Sequence, residues 1–378
     1  MKETATRENK KYTARKRNGA NWVRRRGSLV LVFLMVAMLL SGCGSTGTSE
    51  SAPLKIVTTI FPIYDWTREL VDGMEDVELV WLMDKGVDLH SFQPTAKDIM
   101  EISTCDLFIY VGGESDEWVE DALKETVNPN LVMINLMEEL GDRAKIEELV
   151  EGMQADHAHE AGDEAHESEE EHESDAELDE HVWLSLKNAM FFSQVIEDAL
   201  FGAAVSSNVA GEATSETASI AAGDAAPNSD AAIIKANGEE YRRELAELDK
   251  KFEEVVGSAK NKVILFGDRF PFRYLVDDYG LEYYAAFQGC SAETEASFET
   301  ITFLAEKMDE LGLKSIIKIE DSDGRIAETI VNNTEEKGQE IVALDSMQAV
   351  TEKDAAAGAS YMGIMEKNLA ALQKALAG

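Results

Sequence analysis

The sequence predicts an α/β protein of two lobes, each with a parallel β-sheet flanked by helices, joined by one long rigid helix. Three observations predict it. Short apolar runs alternate with amphipathic helical spacing between residues 54 and 136, the signature of βαβ units. The same alternation returns between residues 262 and 376. Between the two repeats, Ile234–Val256 reads as a single long charged helix, suited to act as a stiff strut.

In the first lobe, Leu54–Thr59 is rich in β-branched residues and reads as a strand, followed by helical spacing over Ile63–Val71. Val77–Leu82 is strand-like, Ala96–Thr104 helical, Leu107–Val111 a strand, Trp118–Thr126 helical and Leu131–Leu136 a strand. In the second lobe, Lys262–Phe266 is a strand, Phe270–Tyr279 a helix and Leu281–Phe287 a strand. Phe298–Leu311 places Ile301, Leu304, Met308 and Leu311 on one helical face. Ser315–Ile319 (strand), Arg325–Asn333 (helix), Glu340–Leu344 (strand) and the closing helix Tyr361–Leu376 complete the lobe. Two stretches interrupt this order. Residues 156–180 hold thirteen Asp/Glu, four His and no Lys or Arg, too much like charge to collapse, so they read as a solvated loop. Residues 202–232 are rich in Ala, Ser, Gly and Thr and read as a flexible insertion.

The charge is lopsided. The chain of 378 residues has 35 Lys/Arg against 73 Asp/Glu, a net of −38, yet residues 1–42 alone carry +8. The remaining body repels nucleic acid and attracts cations. Three cysteines cannot build a disulfide framework. The basic leader ends in Arg24-Arg25-Arg26, followed by the twelve-residue apolar run from Leu29 to Leu40 and by small residues, the layout of a secretory signal. The run is short for a bilayer span. Leu40-Ser41-Gly42-Cys43 resembles the bacterial lipoprotein box, which implies lipidation of Cys43. The expected organisation is a signal peptide over 1–42, a tether over 43–53 and a first lobe over 54–201 that includes the acidic His-rich loop 153–180. The insertion 202–232, the interlobe helix 233–257 and a second lobe over 258–378 follow.

Metal-capable side chains stand at three places: His90 in Asp88-Leu89-His90, His181 in Asp179-Glu180-His181, and Asp345 at the end of the strand Glu340–Leu344. Ligands in open α/β sheets bind beyond the carboxyl ends of strands, where the pattern puts His90 and Asp345. Imidazole with carboxylate suits Zn²⁺ or Mn²⁺ better than Ca²⁺. Each residue also has a plainer reading, since loop histidines are commonly just polar and Asp345 can cap a turn.

Together, the lipobox, Lys55-Ile56-Val57-Thr58-Thr59, Asp88-Leu89-His90 with Pro94, the His-rich acidic insertion and His181-Val182-Trp183-Leu184 resemble the bacterial substrate-binding lipoproteins of zinc and manganese ABC transporters. Tyr279-Gly280-Leu281, Glu295-Ala296-Ser297 and Glu320 are similar to that family's second lobe. The resemblance implies a metal held in the cleft between lobes by His90, His181 and Asp345. It also implies delivery to an ABC transporter permease from a lipid-anchored position on the outer or periplasmic face of the cell membrane. The family places a His or Glu ligand early in its second lobe, where this chain has Arg269, which cannot ligate a cation. Asp268 is the preferred substitute, with Cys290 and Glu293 as alternatives. His157, His159, His166 and His172 would capture metal on the acidic loop. Zinc is the expected ion and manganese the alternative. A surface adhesin or metal buffer is a rival, as is a metal-dependent hydrolase. Neither a Gly-x-Ser-x-Gly elbow, a His-Glu-x-x-His pair nor a phosphate loop is found to favour an enzyme.

Overall fold

The computed structural model describes residues 53–154, 177–211, 229–291 and 295–377. The leader with Cys43, the histidines His157, His159, His166 and His172, and Glu293 lie outside the described residues.

The first lobe is built from β1 (Leu54–Thr58), α1 (Phe61–Val71), β2 (Val77–Trp81), α2 (Ala96–Thr104), β3 (Leu107–Tyr110), α3 (Trp118–Leu123), β4 (Val132–Asn135) and a short α4 (Leu136–Leu140). All strand pairs are parallel and their order is β2-β1-β3-β4. Two long helices follow, α5 (Leu186–Gly211) and α6 (Asp230–Ser258). The second lobe then runs β5 (Val263–Phe270), α7 (Arg273–Tyr279), β6 (Glu282–Gln288), α8 (Phe298–Leu311), β7 (Ser315–Ile319), α9 (Arg325–Asn333), β8 (Glu340–Leu344), α10 (Glu352–Ala356) and α11 (Tyr361–Ala375). Its sheet is also parallel, in the order β6-β5-β7-β8. Parallel strands need crossovers, and helices on the sheet faces explain why β3 and β7 read as near-continuous apolar runs.

Helix boundaries follow local chemistry. Thr95 and Asp98 form a capping box at the start of α2, and Ser297 caps α8 through the Thr300 N–H. Gly312 ends α8 in the left-handed conformation, φ 64°, which glycine adopts without strain.

A continuous apolar core joins the two lobes through α5 and α6. It takes in Ile56, Trp66, Phe192, Leu245, Phe252, Leu344 and Tyr361. Trp66 meets the Tyr361 ring edge-on at 5.2 Å and stacks on Phe192 at 5.9 Å. The Tyr361 N–H donates to Asp65 Oδ2 (2.7 Å) and its hydroxyl donates to the Trp183 carbonyl (2.8 Å). Burying aromatic surface while both the Tyr361 N–H and hydroxyl are satisfied makes this a rigid seam.

Three local expectations give way. Leu136 starts α4 rather than ending a strand, because the Asn135 side chain accepts the N–H groups of Met137 and Glu138 as a cap. Phe270 belongs to β5, not to the next helix: Pro271 holds the residue before it extended, so α7 begins only at Arg273. Residues 202–211 continue α5 instead of opening a flexible insertion. No helix among the described residues is long and apolar enough to cross a membrane.

Candidate metal centre

Three side chains from distant parts of the chain converge at the carboxyl ends of the strands. His90 lies in the 3-10 turn Leu89–Ser91 beyond β2, where Asp88 Oδ1 accepts its N–H at 3.0 Å. His181 precedes the 3-10 turn Val182–Leu184 that leads into α5, and its N–H donates to Asp179 Oδ1 at 2.8 Å. Cys290 stands two residues past the end of β6. The Nε2 atoms of His90 and His181 are 3.3 Å apart, and with Cys290 Sγ the three ligand atoms all lie within 4.8 Å of one another.

The outer nitrogens of both rings are held. His181 Nδ1 is 3.1 Å from Asp179 Oδ1, and His90 Nδ1 is 2.7 Å from Ser115 Oγ. Asp179 can only accept, so the Nδ1 of His181 carries the proton and its Nε2 presents a lone pair toward His90. Ser115 Oγ can donate or accept, and where the His90 Nδ1–H donates to it, the His90 Nε2 lone pair faces the same point. A cation between the rings would use both nitrogens. Two nitrogens at ~2.0–2.1 Å from a tetrahedral zinc stand about 3.3 Å apart, which is the separation found here.

The surroundings are buried and anionic. His181 is fully buried against Trp183, with ring centroids 5.2 Å apart. Burial works to lower its pKa, but the charge and hydrogen bond of Asp179, with Glu147 and Asp88 behind, hold it above the usual imidazole value. His90 is pushed down to about 4, first by desolvation and then by the neighbouring His181. Glu180 Oε2 lies 3.7 Å from His90 Nδ1, and its other oxygen accepts the Ser115 N–H at 3.0 Å, so the Ser115 turn is itself braced.

The second lobe's side of the cluster is set by a turn. Gly289 leaves room there: a Cβ at that position would come within 2.9 Å of the Phe270 carbonyl oxygen and 3.0 Å of the His181 ring. Glu147 clamps the turn, accepting the Cys290 N–H (3.1 Å) on one oxygen and the Gln288 side-chain amide (3.2 Å) on the other. Tyr274 fastens the opposite wall, donating to the Asp179 carbonyl (2.8 Å) and accepting the Lys145 N–H (3.0 Å). Burial, then Glu147 and Asp179, push the Cys290 thiol pKa well up.

His90 and His181 therefore meet as the sequence predicts, but their expected acidic partners do not join them. Asp268 is turned away. The register of β5 is bulged between Phe266 and Arg269, and there Arg269 reaches the cleft while Asp268 is buried among its own lobe's residues. Its Oδ1 accepts the Arg269 N–H at 2.9 Å and its Oδ2 the Ile319 N–H at 3.4 Å. Arg269 instead pairs across the cleft with Asp88, both terminal nitrogens 3.3 Å from Oδ2. Asp345 also stands apart from the cluster. Its Oδ1 caps the following turn by accepting the Met347 N–H at 2.8 Å, and the residue lines a separate polar cavity of about 430 Å³ with Glu320, Asp321 and Lys367. Cys290, an alternative at the sequence level, is the residue that closes the group. The roles of Ser115, Asp179 and Glu147 escaped sequence reading; of these, only Asp179, two residues before His181, carried a local signal.

The sequence profile of the family described as zinc-uptake complex component A, periplasmic, matches residues 56–211 and 217–375. The zinc-binding protein AdcA of Streptococcus pyogenes serotype M3 is 30% identical over 324 residues, covering 85% of this chain and 55% of that protein. The chain thus spans little more than half the length of that relative. The high-affinity zinc uptake system protein ZnuA of Bacillus subtilis is 28% identical over 352 residues, 90% of this chain and 94% of that one. The crystal structure of the Zn(II)-bound ZnuA-like domain of Streptococcus pneumoniae AdcA shares the fold, with a TM-score of 0.60 at 24% identity over 86% of this chain and 100% of that domain.

Proposed function

The chain belongs to the family described as zinc-uptake complex component A, periplasmic, and from that premise we propose that it is an extracytoplasmic zinc receptor. It binds Zn²⁺ between its lobes and delivers the ion to the permease of an ABC transporter. The observation that carries the reading is the 3.3 Å approach of two oriented imidazole nitrogens beside a third donor. Zinc is the cargo, and no reaction is catalysed. Lipidation at Cys43 would tether the protein to the outer face of the cell membrane. The acidic segment with His157, His159, His166 and His172 would raise the local concentration of divalent cations near the site.

Release requires a state in which the ligands part. The seam of Trp66, Phe192 and Tyr361 resists a wide hinge, because opening it would expose buried aromatic surface. Movement of the loops bearing His90 and Cys290 is the cheaper route, with docking on the permease supplying the differential affinity.

The test is zinc titration of the purified chain against a chelating indicator, with His90→Ala combined with His181→Ala. Loss of a partner behind a ligand typically costs ~10–100-fold, so loss of both ligands should weaken binding by more than about 100-fold. Unchanged zinc retention in the double variant would refute the site.

A further inference from the structure

We propose that Cys290 is the second lobe's metal ligand and that its thiolate makes the receptor select zinc over manganese. The inference rests on the receptor reading above and specifies the cargo of that same site.

Geometry leaves the second lobe no other donor in the described group. Arg269 cannot ligate and is engaged by Asp88. Asp268 satisfies two backbone N–H groups inside its own lobe, and Asp345 caps its own turn. Cys290 Sγ is within 4.8 Å of both imidazole nitrogens. A tetrahedral zinc with ~2.05 Å bonds to nitrogen and ~2.3 Å to sulfur needs about 3.6 Å between them, a small adjustment of one side chain.

The position is also built. Glu147 holds the turn on both sides of Gly289, through the Gln288 side-chain amide and the Cys290 backbone N–H, and the absence of a side chain at Gly289 lets the His181 ring lie against it. These contacts fix Cys290 opposite the first lobe's histidines, with its thiol hydrogen-bonded to the same Glu147 carboxylate. On binding, the S–H bond breaks, the sulfur pair forms the bond to the metal, and the proton leaves to solvent.

Selectivity follows from ligand softness. Thiolate with imidazole suits Zn²⁺, whereas Mn²⁺ favours carboxylate and water oxygens and sits lowest in the affinity order for such sites. A carboxylate in place of this sulfur would suit either ion. One atom type at residue 290 therefore decides how strongly manganese is rejected.

The experiment uses the full chain stripped of metal, then loaded with Co²⁺ as a spectroscopic probe and titrated with Zn²⁺ and Mn²⁺ in competition. Wild-type protein should show sulfur-to-cobalt charge-transfer absorption, and Cys290→Ser and Cys290→Asp should lose it. Zinc affinity should fall by about tenfold or more in both variants. The zinc-to-manganese preference should fall further in Cys290→Asp than in Cys290→Ser. If the wild type binds zinc but its cobalt form lacks the charge-transfer band, the thiolate assignment is overturned and the receptor reading stands. An unchanged zinc-to-manganese ratio across folded variants overturns the selectivity in the same way. Failure of the wild type to bind zinc at all removes the receptor reading and this inference with it. The wild-type cobalt spectrum decides the ligation even if a variant misfolds.

Discussion

The two lobes use one strand order for unlike contributions. In β2-β1-β3-β4 and in β6-β5-β7-β8 the chain starts on an inner strand, steps to one edge, and returns to the other side. The loop after the edge strand carries a metal-capable residue in each case, His90 beyond β2 and Cys290 beyond β6. Yet the first lobe offers imidazoles with hydrogen-bonded partners behind them, while the second offers a thiol on a clamped turn and an arginine paired across the cleft. The scaffold decides where a ligand can stand; the loop decides its chemistry and how firmly it is aimed.

The lobes also meet in two different ways, and the largest predicted effect lies at the buried meeting point. At the helical seam, Asp65 takes the Tyr361 N–H while paired with Arg68 at 2.7 Å, and burial pushes its pKa up to about 6, with Arg68 opposing the shift. A folded-state pKa raised from 3.8 means that this carboxyl favours the fold when protonated. The benefit is complete below about pH 4 and lost as pH rises through about 6. Asp65→Asn is neutral throughout and can still accept the Tyr361 N–H. The stability of wild type relative to Asp65→Asn should therefore fall between pH 4 and 6 by at most about 3 kcal/mol, and level off above. Denaturant midpoints for both proteins across this range measure it. A wild type that gains on the variant with rising pH would mean the Arg68 pair outweighs burial.

What the sequence revealed of these two meeting points was uneven. The parallel α/β lobes were legible because buried strands and amphipathic helices have different periods. His90 and His181 were legible because few histidines lay outside the acidic segment. Asp268 misled because sequence places a residue near a cleft but does not say which side of a strand it occupies. The bulged register between Phe266 and Arg269 in β5 is set by pairing with β6, a long-range contact with no local mark. Cys290 could have been ranked higher from the strand-end rule applied to Gln288-Gly289-Cys290, since β6 is the counterpart of β2. The clamp from Glu147 could not, because it depends on a segment remote in sequence folding onto the second lobe, where the Gln154 N–H donates to the Ala286 carbonyl.

The next effect in size separates the two imidazoles of the first half. His181 has a carboxylate behind it and His90 a hydroxyl. Charge-assisted hydrogen bonds are roughly twice as strong as neutral ones. Asp179→Ala should weaken zinc binding by ~10–100-fold, toward the upper end because His181 is fully buried. Ser115→Ala should cost about tenfold or less, as water can replace a hydroxyl near the partly exposed His90. Zinc titration of both variants, with circular dichroism to confirm folding, checks the order. Equal losses would make the two rings equivalent and remove the asymmetry argued here.

The smallest effect tests whether the second lobe has one voice in the site or two. Asp345 and Cys290 both lie beyond strand ends of the same sheet, but Asp345 faces its own cavity with Glu320 and spends Oδ1 on the Met347 N–H. Burial and, for Glu320, the neighbouring Asp345 charge raise the pKa of both carboxyls, with Lys367 partly opposing the shift at Asp345. Asp345→Asn keeps an acceptor for Met347, so the turn should survive. Its zinc affinity should stay within about threefold of wild type, below the ~10-fold that even a supporting partner would cost. A larger loss, read in the same competition titration, would mean that the loop after β8 swings its carboxylate onto the metal when the ion arrives. The second lobe would then hold zinc by two strand ends, and its contribution would match the first lobe's pair in number as well as in place.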